Sequence, residues 1–245
     1  MTPSLSLAQR LAIALFTALV LGGCQALTDP DGYDQLPSPD QRLAALLDEL
    51  ESLRNPEAQP TAAENARQHE RLLQVRKELE ALSFEYPRHT DSAMAVAAFD
   101  YAEGEVLEAA LRLDRLLQVE PVHLEAVLLR SQIAMEANNL PLARRLVEEL
   151  LLHRPDSGEA RESYAAVLFL EGDYAGAEQQ LEAGLALGSP EWRIAYHRGL
   201  VAEHAGSFEE ARAHYARAEE WEEARSAARA RRLGVEQALG LEIQR

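Results

Sequence analysis

The chain has 245 residues and a formal net charge of −17, with 41 acidic side chains against 24 lysines and arginines. This acidity argues against a nucleic-acid-binding protein, because phosphate backbones are bound by clustered basic side chains. It also argues against docking on anionic lipid through surface charge, and it favours basic partners. Alanine, leucine, glutamate and arginine dominate, and clear β-branched alternation is missing. Because these are strong helix formers, we expect an all-α protein.

The N-terminal segment has the layout of a secretory signal peptide. Residues 11–21 read LAIALFTALVL, and Arg10 precedes this run without any acid before Asp29. A membrane-spanning helix needs about 20 apolar residues, so the run is too short to span comfortably. The sequence LGGC follows at 21–24, and Cys24 is the only cysteine of the chain.

The residues around this cysteine resemble the lipobox of bacterial lipoproteins, in which a leucine and two small residues precede a cysteine. The resemblance implies a signal peptide over 1–23, cleavage before Cys24 and lipidation of Cys24, which would be the only cofactor-like group. Several acyl chains anchor a protein stably, whereas one gives only marginal binding. Residues 24–40 contain three prolines and read as a flexible tether. Two alternatives stay open: an ordinary signal peptide with a chance cysteine, or a buried core cysteine.

Two amphipathic helices are predicted within residues 41–86. Their apolar positions recur at helical spacing: Leu43, Leu46, Leu47, Leu50 and Leu53, then Leu72, Val75, Leu79 and Leu82. The prolines at 56 and 60 separate the two helices. We expect both helices to cover the first repeat described next, because a terminal repeat cannot leave its apolar face in water.

A 34-residue period follows, visible in EGEVLEAALRL (103–113), ANNLPLARRLV (137–147), EGDYAGAEQQL (171–181) and AGSFEEARAHY (205–215). A turn-forming residue recurs at one position, and an alanine recurs five residues later: Gly104, Asn138, Gly172 and Gly206, then Ala109, Ala143, Ala177 and Ala211. Glycine and asparagine can adopt the left-handed conformation that ends a helix and permits a tight turn. The alanine marks the place where the second helix passes close to the first.

This pattern resembles the tetratricopeptide repeat, a helix–turn–helix unit of 34 residues. Four units and a C-terminal capping helix are expected, at about 90–123, 124–157, 158–191, 192–225 and 226–245. Pro121 and Pro155 close the first two units, while the fourth lacks its proline, which leaves open that its second helix runs on. The resemblance implies an all-α helical-hairpin solenoid with helical caps and a protein-binding function.

In this family the first helices line the concave face, so the resemblance implies that a protein or peptide partner binds there. One helix face, read at spacings of three and four, consists of Asp91, Met94, Ala98, Tyr101, Glu125, Leu128, Gln132, Met135, Glu159, Glu162, Ala166, Phe169, Arg193, Tyr196, Leu200 and Glu203. Apolar and aromatic side chains among acids suit a peptide with apolar and basic residues.

Two roles are expected on this face, and each has packing between helices as its alternative. The large side chains Tyr101, Met135, Phe169 and Tyr196 are expected to anchor the partner. The acids Glu125, Glu159 and Glu162 are expected to act as exposed charges that speed its encounter.

Motifs for catalysis and metal binding are missing from the sequence. The stretch HERLL at 69–73 lacks the second histidine of a zinc-binding helix. His197 and His204 share a helix face, but about 10 Å separates them, too far for one metal ion without a third element. We expect no enzyme activity, no metal and no small-molecule substrate. An enzyme or metal-binding protein with a site between repeats is the alternative from another class.

The two resemblances together imply a tetratricopeptide repeat lipoprotein of the bacterial cell envelope. Gln25, rather than aspartate, follows the cysteine, which resembles the outer-membrane signal of enterobacterial-type sorting. We therefore expect a scaffold or adaptor for envelope assembly, lipid-anchored in the outer membrane and facing the periplasm. Relatives with this layout include the pilotins of pilus and secretin assembly and factors that recruit cell-wall hydrolases or proteases. The sequence does not separate these classes.

Overall fold

The computed structural model describes residues 37–54 and 62–240, and in these ranges it contains helices and turns but no strand. Eleven helices lie in these ranges: α1 (Pro39–Arg54), α2 (Ala62–Glu85), α3 (Thr90–Ala102), α4 (Val106–Val119), α5 (Leu124–Glu136), α6 (Leu140–His153), α7 (Gly158–Leu170), α8 (Tyr174–Ala186), α9 (Glu191–His204), α10 (Phe208–Ala218) and α11 (Glu222–Ala238). None of them is both long and apolar enough to cross a bilayer. The predicted signal peptide, Cys24 and most of the tether lie outside the described residues.

The chain divides into two compact units, and the first ends at Pro121. The core of this unit joins α1 and α2 to α3 through Leu43, Leu46, Leu50, Val75, Leu79, Leu82, Ala95, Val96 and Phe99. Leu47, Leu53 and Leu72 pack at its border. The predicted apolar faces of the two N-terminal helices are confirmed. Each fully buried leucine contributes about 1.5–3 kcal/mol by leaving water.

A buried carboxylate links three helices of the first unit. Asp100 of α3 is fully buried, and Arg112 Nε of α4 donates a 2.7 Å hydrogen bond to its Oδ2. Arg76 Nη2 of α2 lies 2.9 Å from Oδ1 as an ion pair without hydrogen-bond geometry. Removing one partner of a buried ion pair typically costs about 3–5 kcal/mol, because a buried charge is left uncompensated. Asp100 is therefore a structural residue.

The second unit begins at Val122 and stacks the hairpins α5–α6, α7–α8 and α9–α10, with α11 packed against α9 and α10. The helix α11 covers the last hairpin through Ala224 and Ala228, which pack with Ala195 and Ala218 and border Trp192 and Tyr196. It begins four residues before the predicted boundary at 226. The helix α10 ends at residue 218 instead of running on. Acidic side chains at 222 and 223 then favour a new helix start, where they face the positive end of the helix dipole.

The turn of each repeated hairpin contains a residue in the left-handed region. The φ angles are 89°, 55°, 83° and 80° for Gly104, Asn138, Gly172 and Gly206. In each turn the following N–H reaches back to a carbonyl five residues earlier, for example from Asn139 to Ala134 at 2.7 Å. This is the geometry by which a left-handed residue ends a helix. The turns predicted from the 34-residue period are confirmed.

The repeated alanine lies where the two helices of a hairpin meet. Ala109, Ala143, Ala177 and Ala211 have no exposed surface. Ala143, for example, packs with Ala134 of the first helix of its hairpin and with Val167 of the next hairpin. A methyl group is what this contact accommodates, so the prediction of close helix approach at these positions is confirmed.

Enlarging this alanine should destabilise the fold. Ala143→Leu and Ala177→Leu are expected to lower the free energy of unfolding by about 1–3 kcal/mol, because the extra atoms overpack a filled contact. Ala213→Leu on α10 is the matched control, since Ala213 is exposed. Urea denaturation followed by circular dichroism measures all three variants. Equal midpoints would show that the 34-residue alignment has no structural meaning.

Candidate partner-binding groove

The helices α7 and α9 of the second unit border a groove that holds a cavity of about 120 Å³. The cavity is lined by Glu162, Ala165, Ala166, Phe169, Leu181, His197, Leu200 and Val201. The lining positions of α7 and of α9 each recur at three- and four-residue spacing, so each helix presents one face to the cavity. The cavity exists because the side chains of Ala165 and Ala166 are small. Leu181 of α8, the second helix of the hairpin, also contacts the cavity.

Glu162 and Arg193 form a bidentate ion pair at the groove. Arg193 Nε and Nη2 donate hydrogen bonds of 2.6 and 2.7 Å to the two carboxylate oxygens of Glu162. Such bidentate pairs are strong and fixed in geometry. Only 8% of the Glu162 side chain is exposed. The expectation that Glu162 acts as an exposed charge is wrong, because its carboxylate is buried and both oxygens are paired.

His197 forms part of the apolar wall. Its Nδ1 lies 3.9 Å from a carboxylate oxygen of Glu162. Burial lowers the pKa of His197 from its ordinary value of 6.5, while Glu162 opposes this shift and Arg193 reinforces it. The imidazole is therefore neutral at pH 7, and Arg193 is the counterion of Glu162.

Phe169 is held in place by two other rings. Its centroid lies 4.8 Å from that of His204 in an edge-to-face arrangement and 5.9 Å from that of Tyr174. These are favourable geometries for aromatic pairs. His204 is fixed in turn, because its Nδ1 lies 2.9 Å from the carbonyl oxygen of Leu200. The groove therefore has a preorganised aromatic wall.

Two predicted face residues of α9 are engaged with the C-terminal helices. Tyr196 packs on Tyr215 with ring centroids 5.8 Å apart, and Tyr215 donates a 2.6 Å hydrogen bond to Glu203. Arg231 of α11 lies 3.5 Å from the same carboxylate. A Cβ on Gly199 would come within 2.5 Å of the Tyr215 ring, so this position requires glycine. Neither Tyr196 nor Glu203 lines the cavity.

The predicted face residues of α3 and α5 are mostly engaged in packing. Met94 and Tyr101 are buried within the first unit, and Leu128 is buried in the second. Met135 borders the cluster around the buried Ala143. The expectation that Tyr101 anchors a partner is wrong, because the residue is only 4% exposed.

Two predicted acids keep more of their surface. Glu125 is partly exposed, and one of its carboxylate oxygens lies 3.2 Å from Nδ1 of His123. Glu159 is exposed in the first turn of α7, where its carboxylate accepts a 3.2 Å hydrogen bond from the hydroxyl of Ser157. Glu159 is thus the predicted acid of α7 whose carboxylate stays at the surface.

The cavity also contains residues that the sequence did not assign to the face. Leu181 lies on a second helix, and Ala165 and Val201 are neighbours of predicted positions. In the sequence, His197 stands out only as a possible metal ligand and not as a residue that lines a cavity. A wider reading of each helix face, with one neighbour on either side, would have found Ala165, His197 and Val201.

One group of three side chains within residues 37–54 and 62–240 has potential metal-ligand atoms within 4.8 Å: Asp40, His89 and Asp91. His89 Nδ1 accepts the backbone N–H of Ser92 at 3.3 Å, and its Nε2 lies 2.8 Å from Asp40 Oδ1. Because Nδ1 accepts, the ring proton is on Nε2, which donates to Asp40. Both ring nitrogens are then used, and the group is explained as the cap of α3.

The repeats identify the family. The tetratricopeptide repeat model matches residues 100–151, 128–189 and 171–230, which together cover more than half of the chain. The chain belongs to the tetratricopeptide repeat family. Repeats of this family are in general non-enzymatic and bind protein partners, which supports a protein-interaction scaffold. No curated protein sequence matches it.

Solved tetratricopeptide structures have the same fold. A thermophilic protein from Thermus thermophilus is 18% identical with a TM-score of 0.62, and the alignment covers 81% of this chain and 98% of that chain. A chain of the APC/C hetero-tetramer Cut9–Hcn1 is 14% identical with a TM-score of 0.68, over 95% of this chain and 41% of that chain. MamA of Desulfovibrio magneticus RS-1 is 12% identical with a TM-score of 0.54, over 74% and 93%. These similarities confirm the predicted helical-hairpin solenoid fold.

The partly buried His197 should make stability depend on pH. Its folded pKa is lowered, so the unfolded chain binds more protons below pH 6.5, and the free energy of unfolding falls as pH drops through this value. Burial lowers the pKa of His214 as well, with the same sign. We expect His197→Gln to lose less stability than the wild type between about pH 7.5 and about pH 5.5. Urea unfolding at both pH values measures this, and identical losses would contradict it.

Proposed function

We propose that this protein is a lipid-anchored scaffold of the bacterial cell envelope, and that its α7–α9 groove holds an apolar residue of a protein partner. The main support for this binding site is the cavity of about 120 Å³ between α7 and α9, the first helices of two neighbouring hairpins. Phe169 lines this cavity and packs against His204. Membership in the tetratricopeptide family supports a protein as the ligand. A concave apolar pocket with a few placed polar groups is also the usual form of a binding site.

The charge of the chain favours a basic partner. The net charge is −17, and the exposed Glu159 lies one turn from the cavity residue Glu162 on the same helix. Like-charged partners would be repelled, while a basic partner would be steered towards the surface. Because the pair with Arg193 neutralises Glu162, the steering comes from exposed acids such as Glu159.

The anchor is proposed from the sequence around Cys24. About 15 residues separate Cys24 from the start of α1, and a chain of that length spans at most about 50 Å. A lipid on Cys24 would therefore hold the repeats near the bilayer surface. Gln25 supports the outer membrane as the destination, with the repeats on the periplasmic side.

Truncating the aromatic wall should weaken partner binding. Phe169→Ala is expected to raise the dissociation rate about 30-fold, because an aromatic anchor in a desolvated groove contributes about 2 kcal/mol or more. Phe208→Ala is the control, since Phe208 lies on the second helix α10 and does not line the cavity. Once the partner is identified, surface plasmon resonance measures the dissociation rate of each variant.

The exposed acid should act on the association rate instead. Glu159→Gln is expected to slow association at low salt and to match the wild type at high salt, because exposed charges are screened within about 8–10 Å at physiological ionic strength. If neither Glu159→Gln nor Phe169→Ala alters binding while the fold is intact, the partner binds elsewhere on the chain.

The anchor has its own test. Cys24→Ser should take up no radioactive palmitate and should lose stable membrane attachment in cell fractions, whereas Gln25→Asp should retain the label. Label on the serine variant, with unchanged fractionation, would show that Cys24 is not the lipidation site.

A further inference from the structure

We infer that Arg193 occupies the cation subsite of the α7–α9 groove, so that the groove selects an uncharged aliphatic side chain of its partner and rejects lysine or arginine there. The inference rests on the proposed function, because it takes this groove as the binding site. It names the residue class that enters the cavity: leucine, isoleucine, valine or methionine.

The Glu162 carboxylate is already occupied by Arg193. A carboxylate in a groove of an acidic protein would ordinarily attract a lysine or arginine of the partner. Here both oxygens accept hydrogen bonds from Arg193, at 2.6 and 2.7 Å, and the carboxylate is buried. A ligand cation would have to displace Arg193 from Glu162 and break both of these charge-assisted hydrogen bonds.

The rest of the cavity wall is mostly apolar. Apart from Glu162, the cavity is lined by Ala165, Ala166, Phe169, Leu181, His197, Leu200 and Val201. The one ionisable group among them is His197, which burial keeps neutral at pH 7. An ammonium in such a wall would find no unpaired carboxylate and at most the one acceptor nitrogen of the neutral His197, and burying a charge without a counterion is unfavourable.

The volume of the cavity limits which side chain can enter it. A dry apolar cavity of about 150 Å³ holds a benzene molecule. The cavity here has about 120 Å³, so it accommodates one branched or flexible aliphatic side chain. Bulky double-ring side chains such as tryptophan exceed it. The partner therefore presents an aliphatic residue to the cavity, and its basic residues meet exposed acids such as Glu159 outside.

The pair of Glu162 and Arg193 also predicts how the selectivity of the cavity would change if Arg193 were removed. Without Arg193, Glu162 would remain buried 3.9 Å from His197 and would need a new cation. Removing Arg193 also removes one of the causes that lower the pKa of His197, so the test is made at about pH 8, well above the ordinary imidazole pKa of 6.5. A ligand ammonium would then supply the missing charge. Arg193→Ala should therefore convert an aliphatic subsite into one that accepts a lysine-like group.

Two small probes test the inference without the partner. Isobutanol resembles a leucine side chain, and n-butylammonium chloride resembles a lysine side chain. Each is titrated into full-length protein with ¹³C-labelled methyl groups at about pH 8, and the methyl signals of Ala166, Leu181, Leu200 and Val201 are followed. The wild type should show saturable shifts with isobutanol and none with n-butylammonium at the same concentration, with sodium chloride as the ionic control.

The variants complete the test. Arg193→Ala should gain at least about tenfold in affinity for n-butylammonium, or about 1.4 kcal/mol. Arg198→Ala is the matched control on the same helix, because Arg198 pairs with Glu178 at 2.7 Å and does not line the cavity. It should behave as the wild type. Should Arg193→Ala fail to fold, Arg193→Gln takes its place, and the wild-type selectivity is decisive by itself.

Three outcomes would overturn the inference: shifts with n-butylammonium in the wild type as large as with isobutanol, no shift with either probe, or unchanged selectivity in a folded Arg193 variant. None of these outcomes would contradict the proposed function, which is tested separately by the loss of partner binding in Phe169→Ala. Conversely, intact probe selectivity with unaltered partner binding in Phe169→Ala would overturn the proposed function and leave a selective cavity without that role.

Discussion

The contact on which the structure depends is the crossing of two helices at a buried alanine, repeated every 34 residues. Helices that meet at small side chains can pack at the short end of the usual 8–10 Å range of axis separations. Each hairpin is then a narrow unit with one apolar edge. In the second unit these edges stack, and the first helices α7 and α9 are brought side by side. The groove is a consequence of this stacking, since Ala165 and Ala166 fill less space than their neighbours.

The pair of Glu162 and Arg193 is better understood through selectivity than through stability. Buried ion pairs add little net stability, because desolvation offsets most of the attraction between the charges. The same desolvation makes an unpaired partner unfavourable, so both charges are held together. The effect on function is that an acidic protein presents an apolar, internally neutralised cavity while its exposed acids face solvent. Under the proposed function, long-range steering and local selectivity thus come from different side chains.

Much of the fold could be predicted from the sequence, because its signals are local and periodic. A left-handed turn at Asn138 or Gly172 and a close contact at Ala143 each need only one residue type at one spacing. The α7–α9 groove was less predictable. Positions for packing and for binding lie on the same helical stripe, so Tyr101 and Phe169 look alike in the sequence although one is buried and the other lines a cavity. The partner of Glu162 lies 31 residues away on another helix, where the rotation of both helices decides contact.

The central claim is that a partner occupies the α7–α9 groove, and site-specific photocrosslinking in the native host tests it most directly. A benzophenone amino acid at position 159, on the exposed rim, should give one discrete adduct, and the same amino acid at position 213 on α10 should not. Filling the cavity with Ala166→Leu should abolish the adduct from position 159. An equal adduct from position 213, or an adduct from position 159 that persists when the cavity is filled, would contradict the claim.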